Sequence, residues 1–384
     1  MTARRLHGIP PTVFSAMSAL AVRTGAVNLG QGFPDTDGPA SVLERARTAL
    51  LEGRNQYAPG RGVPELREAV ARHQARHHGI DLDPETQVVV TTGATEGIAS
   101  AVLGLVDPGD EVVLLEPFYD SYPAMLQMAG AVVRPVTLPA PSFRLDVDAL
   151  RAAVHDGTRL LLLNTPHNPT GTVLTDAELA VVAELAVRHD VVVVTDEVYE
   201  HLVFDGRRHR PIATFPGMAE RTLTLSSLGK SWSLTGWKVG WATGPAHLVD
   251  AVLAVKQWTT FTSGSPLQPA AAHALDHEGD FPLALATDLQ RRRDVLLDGL
   301  AEAGLAPRAS EGTYFTVTDI ADLGWSDGAA FCAALPERAG VVAIPLQGFY
   351  AGDAGRHLVR WAFCKDEDVI VEGLRRLRGA ELRA

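Results

Sequence analysis

The sequence predicts an α/β fold: a mainly parallel central sheet with helices on both faces, and a smaller α+β domain. Two observations carry this. Short β-branched runs alternate with helical stretches through the first two thirds of the chain, and the pattern changes beyond roughly residue 275. The strand candidates are residues 88–92, 111–115, 160–164, 191–196 and 221–226, with helical stretches such as 176–188 between them. A charged helix candidate at 282–303 then leads into shorter strand candidates at 313–318, 340–344 and 357–363. No internal repeat, low-complexity tract or long charge run interrupts the chain.

Composition narrows the function classes. At 384 residues the chain is long enough for two to three domains, and 46% hydrophobic with 21% charged residues is ordinary for a soluble globular enzyme. A formal net charge of -12 disfavours nucleic acid and anionic membranes as partners, because both need a basic footprint. No run of 18 apolar residues suggests a membrane span, and the opening segment through Pro11 lacks the apolar core of a signal peptide. Cys332 and Cys364 are the only cysteines, too few for a disulfide framework, so a reducing cytoplasm is the expected compartment.

The candidate chemistry lies between residues 191 and 238. A run of four valines ends in Thr195-Asp196-Glu197-Val198-Tyr199, and 34 residues after Asp196 the small-residue loop Ser226-Ser227-Leu228-Gly229 ends in Lys230. An acid at a strand end and a lysine in such a loop suit pyridoxal 5'-phosphate. That cofactor needs an amine to hold its aldehyde and a carboxylate to keep its pyridine nitrogen protonated, so that the ring accepts electrons. Each half alone also fits an ordinary strand end and an ordinary surface loop. Gly93-Ala94-Thr95-Glu96-Gly97 follows the run 88–92 and reads as a strand turning into a helix, whose free N–H groups and positive dipole end suit a phosphate. A plain glycine-initiated helix is the alternative there. Asn164-Thr165-Pro166-His167-Asn168-Pro169-Thr170-Gly171 reads as a rigid turn that can aim Asn168 at a fixed partner. Ligands of open α/β sheets sit outside the carboxyl ends of the strands, where Thr95, Asn168, Asp196 and Lys230 all fall.

Further motifs accompany these: Asn28-Leu29-Gly30-Gln31-Gly32-Phe33-Pro34-Asp35, Gln56-Tyr57-Ala58-Pro59-Gly60, Glu116-Pro117-Phe118-Tyr119-Asp120, Gly236-Trp237-Lys238 and Val359-Arg360-Trp361. Together, and over about residues 29–365, they resemble the class I/II aminotransferases of the fold-type-I pyridoxal-phosphate enzymes. The Gly-Gln-Gly-Phe-Pro-Asp opening is similar to the kynurenine, glutamine and methionine branch. The wording at 118–122, 200–205 and 332–337 is similar to actinobacterial enzymes assigned to N-succinyl-diaminopimelate. The resemblance implies a fold-type-I transferase in which residues 1–40 pack with the small domain, 41–275 form the large cofactor-binding domain, and 276–384 form the small domain.

It also implies roles. Lys230 holds the cofactor, yields to the substrate amine, and then moves a proton between the substrate Cα and the cofactor C4′. Asp196 keeps the pyridinium proton, while Tyr199 and Asn168 hydrogen-bond the phenolic oxygen; a packed helix aromatic is the alternative for Tyr199. The Ala94 and Thr95 helix start, Ser227 and Lys238 are phosphate donors, and Tyr119 stacks on the ring. Tyr57 matches the tyrosine that reaches the phosphate of the neighbouring subunit, which implies a homodimer with shared active sites. Arg360 is an arginine inside an apolar strand and needs an anionic partner, since burying it alone is costly. A substrate α-carboxylate is the candidate and an internal salt bridge the rival. Gly32 can add a backbone N–H to that carboxylate, with Asn168 as a further substrate contact.

The expected activity is ping-pong transfer of an amino group between an amino acid and a 2-oxo acid, with N-succinyl-L,L-diaminopimelate and 2-oxoglutarate leading. Residues 257–268 contain no arginine, which disfavours aspartate as donor, and Thr12 stands near where kynurenine-type relatives carry tryptophan. Kynurenine, glutamine, methionine and aromatic donors are the alternatives, as is β-elimination from a cysteine conjugate such as cystathionine. A non-catalytic regulator is disfavoured by Lys230 and by the lack of a basic module. His73 and His77 stand at i,i+4 on an expected helix and can grip a metal, but no His-Glu-x-x-His pattern or third ligand accompanies them. An exposed polar face and no metal are therefore expected.

Overall fold

The computed structural model describes residues 2–384. Thirteen strands occur among them: β1 (Val27–Asn28), β2 (Val88–Thr91), β3 (Glu111–Glu116), β4 (Val132–Thr137), β5 (Thr158–Asn164), β6 (Val192–Asp196), β7 (Thr222–Ser227), β8 (Gly240–Thr243), β9 (Ala306–Pro307), β10 (Phe315–Asp319), β11 (Val341–Val342), β12 (Ile344–Pro345) and β13 (Leu358–Ala362). Seven form the central sheet in the order β2-β8-β7-β6-β5-β3-β4. Its strands run parallel except for β8, which lies antiparallel between β2 and β7.

Apolar side chains alternate so that both faces are dry. Val112, Leu114, Leu160, Leu162 and Val194 meet the helices Gly93–Leu105, Ser121–Ala129 and Ala246–Thr259. Val113, Leu115, Leu161, Leu163 and Val193 meet the helix Asp176–Arg188 on the other side. That helix has the expected bounds because Thr175 and Glu178 form a capping box at its start.

Two strands of the central sheet are not expected from the sequence, each for a physical reason. β4 is an edge strand with half of its residues exposed, one of them a proline of the kind an edge tolerates. β8 is four residues long and begins with glycine, so its own composition does not favour a strand.

The C-terminal strands form an antiparallel sheet in the order β12-β13-β10-β9. The run expected at 313–318 begins only at Phe315, since Thr313 sits at φ 71, and the run at 340–344 splits into β11 and β12. Residues near the N-terminus join this part of the chain: β1 pairs parallel with β11, and Leu29 exchanges backbone hydrogen bonds with Val342 and Ala362. Cys332 and Cys364 are buried free thiols. Among the described residues no helix is long and apolar enough to cross a membrane.

Register positions the site. Asn164 stands opposite Asp196, Asp196 opposite Leu225, and Gly240 pairs with both Ser227 and Thr91. The carboxyl ends of β5, β6 and β7 are therefore level, and β8 draws the start of the helix Gly93–Leu105 alongside them.

Candidate active site

A cavity of about 160 Å³ opens at these strand ends. Ala94, Thr95, Tyr119, Asn168, Asp196, Tyr199, Ser227, Lys230 and Lys238 all line it, although they are spread over 145 positions of sequence. Asp196 is the last residue of β6 and is buried. Its Oδ2 accepts from Tyr122 Oη at 2.7 Å and its Oδ1 from the Val198 N–H at 3.3 Å. Burial pushes the carboxyl pKa up, while these two hydrogen bonds and the charge of Lys230 pull it down.

Asn164 closes β5 beside it, donating from Nδ2 to the Asp196 carbonyl at 2.9 Å and accepting the Asn168 N–H at 2.7 Å. Tyr122 and Asn164 were not singled out from the sequence. Asn164 ends an expected strand, which is its only signal. Tyr122 stands in a quoted motif, yet nothing local shows that its hydroxyl reaches Asp196.

Lys230 sits in the short helix Leu228–Ser231, its backbone carbonyl accepting from Tyr314 Oη. Its Nζ lies 5.7 and 5.9 Å from the ring centroids of Tyr199 and Tyr314. Burial lowers the pKa of this amine, and the Asp196 carboxylate opposes the shift. Tyr199 is in the turn after β6 rather than on a helix, edge-on to Tyr314 at 5.4 Å. Burial pushes the Tyr119 phenol up to about 12, with the Asp120 charge adding to it.

The opposite end of the cavity is cationic. Lys238 Nζ lies 3.4 Å from Thr95 Oγ1, over the first turn of the helix Gly93–Leu105. A Cβ on Gly240 would stand 2.7 Å from the Gly93 carbonyl carbon and 2.9 Å from the Ala94 nitrogen, so only glycine lets β8 come this close. Free N–H groups at the helix start, an ammonium and Ser227 together suit a dianion. An amine, a carboxylate, an aromatic ring and a dianion cup at opposite ends of one cavity fit pyridoxal phosphate.

Arg360 is buried on β13. Its Nη1 donates to Asn168 Oδ1 at 3.0 Å and its Nη2 to the Gly30 carbonyl at 2.9 Å, while Nε has no partner. The guanidinium lies 3.9 Å over the Phe315 ring and 4.9 Å from Phe14. The rival internal salt bridge is not formed among the described residues. Burial lowers this guanidinium to about 10, still charged at neutral pH. Gly32 lies outside the cavity lining but packs on the same Phe315 ring, which a Cβ would meet at 2.4 Å. Tyr57 is not brought to the cavity of its own chain: it is 82% exposed and edge-on to Phe261 at 5.3 Å. Thr12 caps the helix Val13–Thr24 and donates to Asp120 at 2.7 Å.

The expectation of an exposed histidine face is corrected. Of the three histidines on the helix Pro64–His78 only His77 is exposed; His73 is fully buried, with its Nε2 2.8 Å from His201 Nε2. The turn after β6 supplies His201 and Glu200, more than 120 residues away in sequence, which no local spacing reveals. Burial pulls the His73 imidazole down to about 3 and that of His201 to about 4.

The family profile described as "Aminotransferase class I and II" matches residues 24–377. A probable N-succinyldiaminopimelate aminotransferase of Mycobacterium tuberculosis is 54% identical, over 98% of this chain and 98% of the relative. A methionine aminotransferase of Escherichia coli is 39% identical, over 97% of each chain. The solved structure of the N-succinyldiaminopimelate aminotransferase from Mycobacterium tuberculosis superposes with a TM-score of 0.95, covering 99% of this chain and 100% of the other.

Proposed function

Since the chain belongs to the aminotransferase class I and II family, we propose that its amino donor is N-succinyl-L,L-diaminopimelate and its acceptor 2-oxoglutarate. As a member of that family it is a pyridoxal-phosphate-dependent enzyme that exchanges amino groups between amino acids and 2-oxo acids. The likeness to the Mycobacterium tuberculosis relative, at 54% identity over nearly the full length of both chains, carries the choice of donor. Residues 257–268, which hold no arginine but include Trp258, Thr259, Thr260 and Ser263, support it over aspartate.

When bound, pyridoxal phosphate supplies an electron sink for the pair left at the substrate Cα. Lys230 Nζ, its pKa lowered by burial, takes the Cα proton and returns it on the cofactor side. Asp196, fixed by Tyr122 and Val198, holds the proton on the pyridine nitrogen. With its Oδ1 accepting from Arg360, the Asn168 amide keeps its N–H donors free and would offer them, beside Tyr199, to the phenolic oxygen. Ala94, Thr95, Ser227 and Lys238, which line one cavity with Tyr119, would hold the phosphate, and Tyr119 would cover the ring. Arg360, with Gly32 behind Phe315, takes the α-carboxylate.

The division into residues 1–40, 41–275 and 276–384 belongs to the same proposal, supported by the β1–β11 pairing. So does a homodimer: Tyr57 and Trp258, each 82% exposed, and Phe261 leave an aromatic surface for the partner subunit. Two buried free thiols suit a reducing cytoplasm.

Tyr122→Phe is expected to weaken cofactor binding about tenfold or more, because it deletes a buried hydrogen bond to a carboxylate. Equilibrium dialysis reads this, and unchanged affinity would remove Tyr122 from the site. The donor is tested by adding amino acids singly to the loaded enzyme without oxo acid and following its visible absorbance. Response to N-succinyl-L,L-diaminopimelate alone supports the proposal. Response to kynurenine, methionine or glutamine instead makes it a broad transaminase, and pyruvate with ammonia from cystathionine makes it a β-lyase.

A further inference from the structure

The helix Pro64–His78 and the turn after β6 meet behind the active site over a group of side chains that transamination does not use. His73 comes from the helix and Glu200 and His201 from the turn, and one ligand-capable atom of each lies within 4.8 Å of the others. The His73 and His201 Nε2 atoms are 2.8 Å apart, and His73 Nδ1 is buried without any partner. His77, one helical turn from His73 and exposed, has its ring centroid 4.6 Å from that of His73 and 4.9 Å from that of His201. We propose that His73, His201 and Glu200 bind one divalent transition-metal ion, with His77 or water completing the coordination at the solvent side.

The donor chemistry selects the class of ion. Two imidazoles and one carboxylate suit zinc, cobalt, nickel, copper or iron, whereas calcium and magnesium prefer all-oxygen shells. Two nitrogens on one tetrahedral zinc stand about 3.3 Å apart, so the two Nε2 atoms need to part by only roughly half an ångström. Glu200 is already oriented from behind, accepting from His78 Nε2 at 2.7 Å and Ser226 Oγ at 2.6 Å, the kind of outer support that fixes a metal-ligating carboxylate. His77 gives the ion a way in from solvent. An ion here ties the helix to the turn, and binding only the folded chain stabilises it.

The test uses the whole, cofactor-loaded enzyme after chelator treatment. Titration with Co²⁺ is expected to give visible d–d bands that saturate at one ion per chain, and Zn²⁺ to displace it and raise the unfolding midpoint by a few degrees. His201→Gln should abolish both effects. His277→Gln, which removes the separate pair His273 and His277 with centroids 4.8 Å apart, should leave both intact. No bands from the folded enzyme, or bands that survive His201→Gln and vanish in His277→Gln, overturn the proposal. Should His201→Gln fail to fold, anomalous scattering at the zinc edge in crystals of the unaltered enzyme decides. A peak between His73 and His201 supports the site, and a peak elsewhere or none overturns it.

Discussion

Replacing Lys230 by alanine is expected to lower turnover by about 10⁴-fold or more, while leaving the cofactor bound non-covalently. In the proposed assignment one amine both holds the cofactor and moves the proton, and each task is worth orders of magnitude. No neighbour can substitute for it. Tyr199 and Tyr314, the rings nearest its Nζ, have phenols that burial pushes well above their ordinary pKa. Lys238 is committed to the other end of the cavity, beside Thr95. The groups proposed to grip the phosphate and the pyridine nitrogen are untouched, so cofactor retention should persist. Borohydride should fix the cofactor to the unaltered chain and not to the variant. Activity within tenfold of normal, or a borohydride label on Lys238, would show that the proton is moved elsewhere.

Arg360→Leu is expected to give effects of opposite sign on activity and on stability. Two charge-assisted hydrogen bonds to a substrate carboxylate are worth about 3–6 kcal/mol together, which corresponds to a fall of about 10²–10⁴-fold in kcat/KM. The free protein gains little from this guanidinium. It has two neutral acceptors, an unpartnered Nε and no carboxylate, among the aromatic rings of Phe14, Phe315 and Phe349. Replacing a buried charge by a well-packed apolar side chain is often neutral or stabilising. The unfolding midpoint of substrate-free Arg360→Leu should therefore not fall. Arg360→Lys keeps the charge but loses the planar fork, so its kcat/KM should lie between the two. A collapsed midpoint with KM unchanged would instead make Arg360 a structural clamp on Asn168 and Gly30.

The sequence by itself determined five of the seven strands of the central sheet, their burial on both faces and the polar residues at their carboxyl ends. A strand buried on both sides must be apolar along its length, so the polar residue that ends each run is conspicuous, as with Asp196 after four valines. Lys230, Asn168 and the Gly93 helix start were legible for the same reason: strand-end loops are local features with local composition. Arg360 was legible because a charge inside an apolar strand demands a partner.

Only the tertiary structure decided which of these groups meet and what stands behind them. β8 carries little strand signal, yet its antiparallel insertion between β2 and β7 sets Lys238 and Ser227 against the helix start, through a glycine contact that no other residue permits. Tyr122 and Asn164 reach Asp196 through packing and register, and a hydroxyl's direction is not encoded by its spacing. The histidines of the helix Pro64–His78 looked like a solvated face because their partners, His201 and Glu200, come from a distant turn. Periodicity reports which side of a helix is apolar. It cannot report that a polar side is buried against another polar group, because that compensation is made by residues far away in sequence.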